Sequence, residues 1–201
     1  MFQFRFHGRG GQGVVTAAEM LSVAAFQEGK YAQAFPSFGS ERMGAPVMSF
    51  CRIDDNDIRL RDPVYEPDAL IIQDPTLLHT PGIFEGLSPK GYALINSSKE
   101  ISDLHIDHIV KHLPAGHLIA IPATELALKH VKRPLPNAVM LGGLLALTGM
   151  LKLESLKAAI QNAFAGPIGE ANVAAATEAY NMVCEQEKRI TSICKKEKIA
   201  C

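Results

Sequence analysis

The chain opens on a strand that runs directly into a glycine-dense turn and then into a helix. Phe2, Phe4 and Phe6 alternate with Gln3, Arg5 and His7, the period of a β-strand with one apolar face. Gly8-Arg9-Gly10-Gly11-Gln12-Gly13 follows at once, with Gly8, Gly10 and Gly13 in the G-x-G-x-x-G spacing. The alanine-rich segment Val14 to Glu28 then reads as a helix closed by Gly29. Such a turn leaves unpaired N–H groups at the helix start, where an anion is favourably held. Tyr31 to Phe35 reads as the next strand, so the opening is βαβ and predicts a parallel pair with the helix crossing one face. Because a central parallel strand is usually apolar on both faces, the first strand is expected to keep one face less covered.

Downstream, Pro36 to Pro46 is too rich in Gly, Pro and Ser for regular structure and predicts a long exposed loop. Val47 to Ile53 is rich in β-formers, Asp54-Asp55-Asn56-Asp57 is turn chemistry, and Ile58-Arg59-Leu60 can return as a strand, which predicts an antiparallel hairpin. Ala69 to Gln73, Tyr92 to Ile95 and His117 to Ile121 read as further buried parallel strands, for a sheet of roughly six or seven. Beyond Pro122 the pattern is helical. Thr124 to Lys129 is short, Ala138 to Leu151 is apolar all round, Leu153 to Phe164 is amphipathic, and a terminal helix runs from Glu170 to about Lys198. The expected fold is α/β: one Rossmann-like domain over residues 1–201, its sheet mainly parallel with an antiparallel hairpin, with a core at 1–165 and a helical C-terminal region at 166–201.

Composition narrows the function classes. With 47% apolar residues the chain can build a core and is not disordered. Twenty basic residues against 21 acidic ones give no overall field for nucleic acid or an anionic membrane. No apolar run reaches membrane-spanning length and the amino terminus lacks a signal-peptide pattern, so a cytoplasmic location is expected. Cys51, Cys184, Cys194 and Cys201 form no C-x-x-C pair that would seed a zinc or iron–sulfur site.

The glycine turn invites a dinucleotide reading, which also needs an acidic residue roughly 20 positions on, at the end of the second strand. Glu28 has nearly that spacing but closes the helix, and the strand ends in Phe35-Pro36-Ser37. Arg9 either pairs with a phosphate or carboxylate or lies at an interface, and Gln12 either donates to a ligand oxygen or satisfies a neighbouring carbonyl. Ser40, Glu41 and Arg42 sit in the Pro36–Pro46 loop among Phe38 and Met43, a mixture suited to docking or ligand contact rather than catalysis. Asn137 reads as the cap of the apolar helix, and Asn96 closes a strand at the edge where open α/β sheets bind ligands. His105, His108 and His112 would share one helix face, better explained as an exposed polar surface than as a metal site. No G-x-S-x-G, H-x-x-E or lysine-bearing phosphate loop occurs.

Gly8 through Val14, then Phe38-Gly39-Ser40-Glu41-Arg42-Met43-Gly44-Ala45-Pro46-Val47, then Arg52-Ile53, Pro67-Asp68 and Asn137 through Gly142, together resemble the gamma subunit of 2-oxoacid:ferredoxin oxidoreductases, the pyruvate-type branch above all. The resemblance runs from about Phe4 to Met150. It implies a non-catalytic subunit of a multisubunit enzyme that converts pyruvate, coenzyme A and oxidised ferredoxin or flavodoxin to acetyl-CoA, carbon dioxide and the reduced carrier. Alpha, beta and delta subunits are the implied partners, with thiamine diphosphate, Mg2+ and iron–sulfur clusters held on them. Coenzyme A is the expected shared ligand, with Gly8, Arg9, Gly10, Gly11, Gln12, Gly13, Ser40, Glu41, Arg42, Asn96 and Asn137 as the candidate contacts. A gamma-type subunit of an indolepyruvate or 2-oxoglutarate enzyme would share the turn, and a stand-alone nucleotide-binding oxidoreductase is the alternative of a different class.

Overall fold

A computed structural model describes residues 1–37, 43–106 and 111–199. Six strands form one sheet: β1 (Phe2–Arg9), β2 (Tyr31–Pro36), β3 (Pro46–Asp54), β4 (Ala69–Ile72), β5 (Tyr92–Asn96) and β6 (Leu118–Ile121), in the order β2-β3-β1-β4-β5-β6. The α-helices among the described residues are α1 (Val14–Gln27), α2 (Ala123–Val131), α3 (Asn137–Thr148), α4 (Leu153–Ala163) and α5 (Gly166–Ile199), with 3-10 turns at Pro75–Leu77 and Ile101–Leu104. The β1–β4, β4–β5 and β5–β6 pairs are parallel, while β3 is antiparallel to both β1 and β2. The α/β class and the mainly parallel sheet therefore stand as read.

Two local expectations are corrected. First, β1 and β2 do not pair, because β3 is inserted between them. The segment after α1 folds as a hairpin, β2 with β3, and β3 then pairs along the whole of β1 from Phe2 against Ile53 to Arg9 against Pro46. Second, Ile58-Arg59-Leu60 makes no strand, so the antiparallel hairpin turns at the 36–46 segment instead of at Asp54–Asp57. Both errors have one cause: pairing partners far apart in sequence leave no mark in local periodicity.

The two sheet faces are covered differently. Phe4, Phe6, Cys51, Ile53, Ala69, Ile71, Leu94, Ile119 and Ile121 point toward one face, where all five of these α-helices contribute to a single apolar core. On the other face Leu70, Ile72, Ala93 and Ile95 pack under loop residues such as Leu77, Ile83, Leu87 and Ile106. Under β1 and β3 this second face is polar but not bare, contrary to the expectation of a less covered face. Arg5 is only 7% exposed and donates from Nη1 to the carbonyls of Val64 and Tyr65 and from Nη2 to those of Ile83 and Glu85. Arg52, 2% exposed, donates to Gln3 Oε1, Gln33 Oε1 and the carbonyls of Asp62 and Pro63. Two buried guanidinium forks thus replace the apolar contacts that a parallel strand would normally make, and they tie two long connections to the sheet.

The C-terminal half is a helical layer. Gly166 and Pro167 open α5 earlier than the expected Glu170, with Pro in the first turn, where its missing N–H costs no helix bond. Its small early residues, Ala175, Ala176 and Ala179, are fully buried in the shared core. They allow α3 to approach closely at Gly142, where an added Cβ would lie 2.0 Å from the Ala176 carbonyl oxygen. No helix among the described residues is long and apolar enough to cross a membrane.

Candidate functional site at the glycine turn

Parallel strands β1, β4 and β5 end at one edge of the sheet, and that edge collects most of the polar residues of interest. Leaving β1, the chain makes the turn Gly8–Gly13 and enters α1 through Gly13, which takes a left-handed conformation (φ 72). Only glycine fits there. A Cβ on Gly13 would lie 2.4 Å from Asn137 Nδ2, besides the strain of positive φ. The turn is thus pressed against the start of α3, and the structure brings Gly13 and Asn137 together. Pro136, not Asn137, occupies the cap position of α3, although Asn137 Oδ1 accepts the Ala138 N–H at 2.9 Å.

Arg9 and Gln12 are already engaged within the chain. Gln12 Oε1 accepts the Arg9 backbone N–H at 2.8 Å, and its Nε2 donates to Asp74 Oδ2 at 2.7 Å. Arg9 Nη2 donates to Thr76 Oγ1 at 2.7 Å, Nη1 to the Gly44 carbonyl at 3.0 Å, and Nε lies 3.4 Å from Asp74 Oδ2. Asp74 in turn accepts the Thr76 N–H and hydroxyl. Burial favours the neutral form of Asp74 most strongly, but hydrogen bonds from Thr76 and Gln12 and the charge of Arg9 together hold its carboxyl below the usual range. The result is a charged latch between the turn and the end of β4.

A second tie joins the turn to the loop between β2 and β3. Gly10 N–H donates to the Ala45 carbonyl at 2.9 Å, and Gly44 N–H donates to the Gly10 carbonyl at 3.0 Å. The near end of the second motif thus meets the first. Ser40, Glu41 and Arg42 themselves lie outside the described residues, as do Phe38, Asp107 and His108.

Beside the latch lies a cleft of 370 Å³, walled by Gly10, Gly11, Gly13, Val15 and Thr16 on one side and by Asn137 and Phe164 on the other. Neither a side-chain cap nor an acidic residue stands in the first turn of α1. The positive end of this helix therefore opens on the cleft without compensation from its own side chains, the arrangement that favours an anion.

Asn96 sits elsewhere. Its Nδ2 donates to the Gln73 carbonyl at 2.7 Å and to Thr124 Oγ1 at 2.8 Å, and its Oδ1 accepts the Thr124 N–H at 3.1 Å, so it ties β4 to β5 and caps the start of α2. It faces a separate 510 Å³ cleft with Ser97, Lys99 and Thr124. His105 has φ 55 and ends a 3-10 turn, and His108 lies outside the described residues. Among the described residues no group of three His, Cys, Asp or Glu is placed to hold a metal ion.

Gln73, Asp74 and Thr76 escaped the sequence reading. Gln73 is fully buried with neither amide atom hydrogen-bonded among the described residues, and Asp74 organises the latch. The available signal was Asp74-Pro75-Thr76 directly after an apolar strand, an Asx-type turn at the ligand-binding edge of a parallel sheet.

The inserted β3 removes the neighbouring strand end on which a dinucleotide ribose would be bound, so the turn does not sit in a dinucleotide-binding frame. Residues 3–182 match the family model described as pyruvate ferredoxin/flavodoxin oxidoreductase. The chain belongs to this family. It is 48% identical over 181 residues to the "Pyruvate/ketoisovalerate oxidoreductases common subunit gamma" of Thermococcus kodakarensis, covering 90% of this chain and 96% of that one. The "Pyruvate synthase subunit PorC" of Methanocaldococcus jannaschii is likewise 48% identical over 181 residues, with the same coverage. Among solved structures, the pyruvate oxidoreductase subunit PORC of Thermotoga maritima superposes with a TM-score of 0.76 at 38% identity, covering 90% of this chain and 95% of that one. The chain is thus a gamma-type subunit of a 2-oxoacid oxidoreductase, and the reading as a stand-alone nucleotide-binding enzyme is set aside.

Proposed function

We propose that this chain serves as the gamma subunit of a pyruvate:ferredoxin oxidoreductase and contributes an anion-binding cleft for coenzyme A. In this reading residues 1–201 are one cytoplasmic domain, and alpha, beta and delta subunits hold the thiamine diphosphate, Mg2+ and iron–sulfur clusters. Among the described residues the cysteines are ill suited to hold a cluster. Cys51 is buried, with its thiol pushed up by burial, and Cys184 is the other cysteine whose surroundings are described. The name of the Thermococcus relative, a subunit common to pyruvate and ketoisovalerate oxidoreductases, supports a gamma role that leaves substrate choice to other subunits.

The observation that carries the coenzyme A assignment is the open start of α1 over the 370 Å³ cleft. The ligand's phosphates would meet the backbone N–H groups that open α1, because the N–H groups of Arg9, Gly10 and Gln12 are bonded within the chain and the Arg9 guanidinium is spent on Thr76, Gly44 and Asp74. Thr16→Asp tests this. A carboxylate in the first turn of α1 is favourable for the helix by about 0.3–1 kcal/mol, yet it repels a phosphate in the cleft. The expected result is a KM for coenzyme A raised at least about tenfold in the assembled enzyme, corresponding to about 1.4 kcal/mol, with the KM for pyruvate and the subunit's stability retained. An unchanged KM for coenzyme A would remove the cleft from the phosphate site.

A further inference from the structure

One side chain, Gln12, closes the glycine turn. It takes up both backbone groups of Arg9: its Oε1 accepts the Arg9 N–H at 2.8 Å, and its own N–H donates to the Arg9 carbonyl at 3.0 Å. Gly8 leaves the room for this, since a Cβ there would lie 2.9 Å from Gln12 Oε1. The other end of the amide, Nε2, donates to Asp74 Oδ2 at 2.7 Å. A backbone N–H can only donate and a carboxylate can only accept, so the amide is fixed in one orientation, oxygen to Arg9 and nitrogen to Asp74. Asp74 is equally committed. It is 7% exposed, its Oδ1 accepts the Thr76 N–H at 2.9 Å and the Thr76 hydroxyl at 2.5 Å, and Arg9 Nε stands 3.4 Å from Oδ2. Each group bonded to the carboxylate is a donor, a demand that an asparagine, with one acceptor oxygen, does not meet.

We propose that Gln12 and Asp74 are a positioning pair for the anion site: the Asp74 carboxylate sets the direction of the Gln12 amide, and the amide holds the turn in the shape that aims the start of α1 at the cleft. The inference rests on the reading of the 370 Å³ cleft as the coenzyme A site and adds to it what fixes that site's geometry. Neither Gln12 nor Asp74 is among the residues that line the cleft, whereas Arg9, Gly10 and Gly11, enclosed by the bonds between Arg9 and Gln12, do line it. The pair therefore acts on a ligand through the backbone of the turn. Donors already held in place bind an anion at a lower ordering cost, so loosening the turn weakens binding although no contact to the ligand is removed.

The test exchanges the two side-chain chemistries. Asp74→Asn leaves Thr76 and Gln12 competing for one oxygen, and Gln12→Glu sets two carboxylates face to face. Each single variant is expected to raise the KM for coenzyme A about tenfold in the assembled enzyme, with kcat and the KM for pyruvate unchanged. In the double variant the amide at position 74 donates to the carboxylate at position 12, which still accepts the Arg9 N–H, so the chain of bonds is complete again at the same net charge. Its KM is expected to return to within about threefold of the unsubstituted enzyme. Hydrogen exchange of the Arg9 amide in the full chain reads the turn without a ligand, and is expected to be slow in the unsubstituted protein and the double variant and at least about tenfold faster in each single variant. A KM that stays high in the double variant would overturn the proposal, because charge at one position would then matter and not the matched pair. So would an Arg9 amide that exchanges equally slowly in all four proteins. If Thr16→Asp raises the KM for coenzyme A while Asp74→Asn and Gln12→Glu leave it unchanged, the cleft stands as the anion site and the positioning pair falls. If Thr16→Asp has no effect either, the coenzyme A reading falls with it.

Discussion

Arg5→Met is expected to destabilise the chain by about 3–5 kcal/mol, because it removes a buried guanidinium whose two Nη groups donate to four backbone carbonyls. The methionine fills much the same volume, so the loss is not one of packing. What is lost is the set of donors to Val64, Tyr65, Ile83 and Glu85, whose carbonyls are held in two connections laid over the polar half of the sheet. Backbone acceptors left unpaired in a buried place cost about 1–3 kcal/mol each, and local relaxation recovers part of that. Burial lowers the Arg5 pKa and the charge of Glu85 opposes that shift, yet a guanidinium stays protonated, so the network has no titration that relieves it near neutral pH. Arg5→Lys keeps the charge but reaches with a single ammonium, and is expected to recover less than half of the loss. Urea unfolding of the three proteins measures this, with limited proteolysis at residues 62–66 and 82–86 reporting which segments come loose. A midpoint for Arg5→Met equal to that of the unsubstituted chain would mean that the two loops are held by their apolar contacts alone.

Gly142→Ala is the second large effect, and here the direction opposes local propensity. Alanine in a helix interior is favoured over glycine by about 1 kcal/mol. At Gly142, however, the added Cβ would meet Ala176 at its carbonyl oxygen (2.0 Å), carbonyl carbon (2.7 Å) and Cα (2.8 Å), all backbone atoms of α5. No side-chain rotation relieves this, so α3 and α5 must move apart and open the contact around Leu141, Leu145, Ala175 and Ala179. The expected net loss is about 2–3 kcal/mol, read as a lower urea midpoint with the m-value unchanged. Alanine at the half-buried Lys157 of α4, whose Nζ makes a long ion pair with Glu154, serves as the control and is expected to stay within about 0.5 kcal/mol. A neutral or stabilising Gly142→Ala would show that the helices part freely.

Much of the site was legible because it is local. The alternation of Phe2, Phe4 and Phe6 marks the face that meets the helices, and the spacing of Gly8, Gly10 and Gly13 marks a strand that turns into a helix. Those signals lie within a few residues and follow from backbone geometry. Arg5 and Arg52 were not legible as buried residues, since arginine in a strand ordinarily reads as the solvent face and its acceptors here lie at least ten residues away in the chain. Arg9 shows the same limit in reverse. Its place in the turn suggested a ligand contact, and only Asp74 and Thr76, brought in by β4, show that its guanidinium is used internally.

The sequence by itself determined the α/β class, the strand-turn-helix opening, the apolar helical layer and, through motifs spread along the chain, the family. Each is either a short-range periodicity or a pattern of residue types that survives without coordinates. Tertiary structure alone decided that β3 stands between β1 and β2, that two arginine forks seal the second face, and that the glycine turn is latched to Asp74 while the start of α1 stays open to a cleft. These depend on which distant segments pair. That choice is governed by summed burial and hydrogen-bond satisfaction over the whole sheet, a quantity that no local window of residues contains.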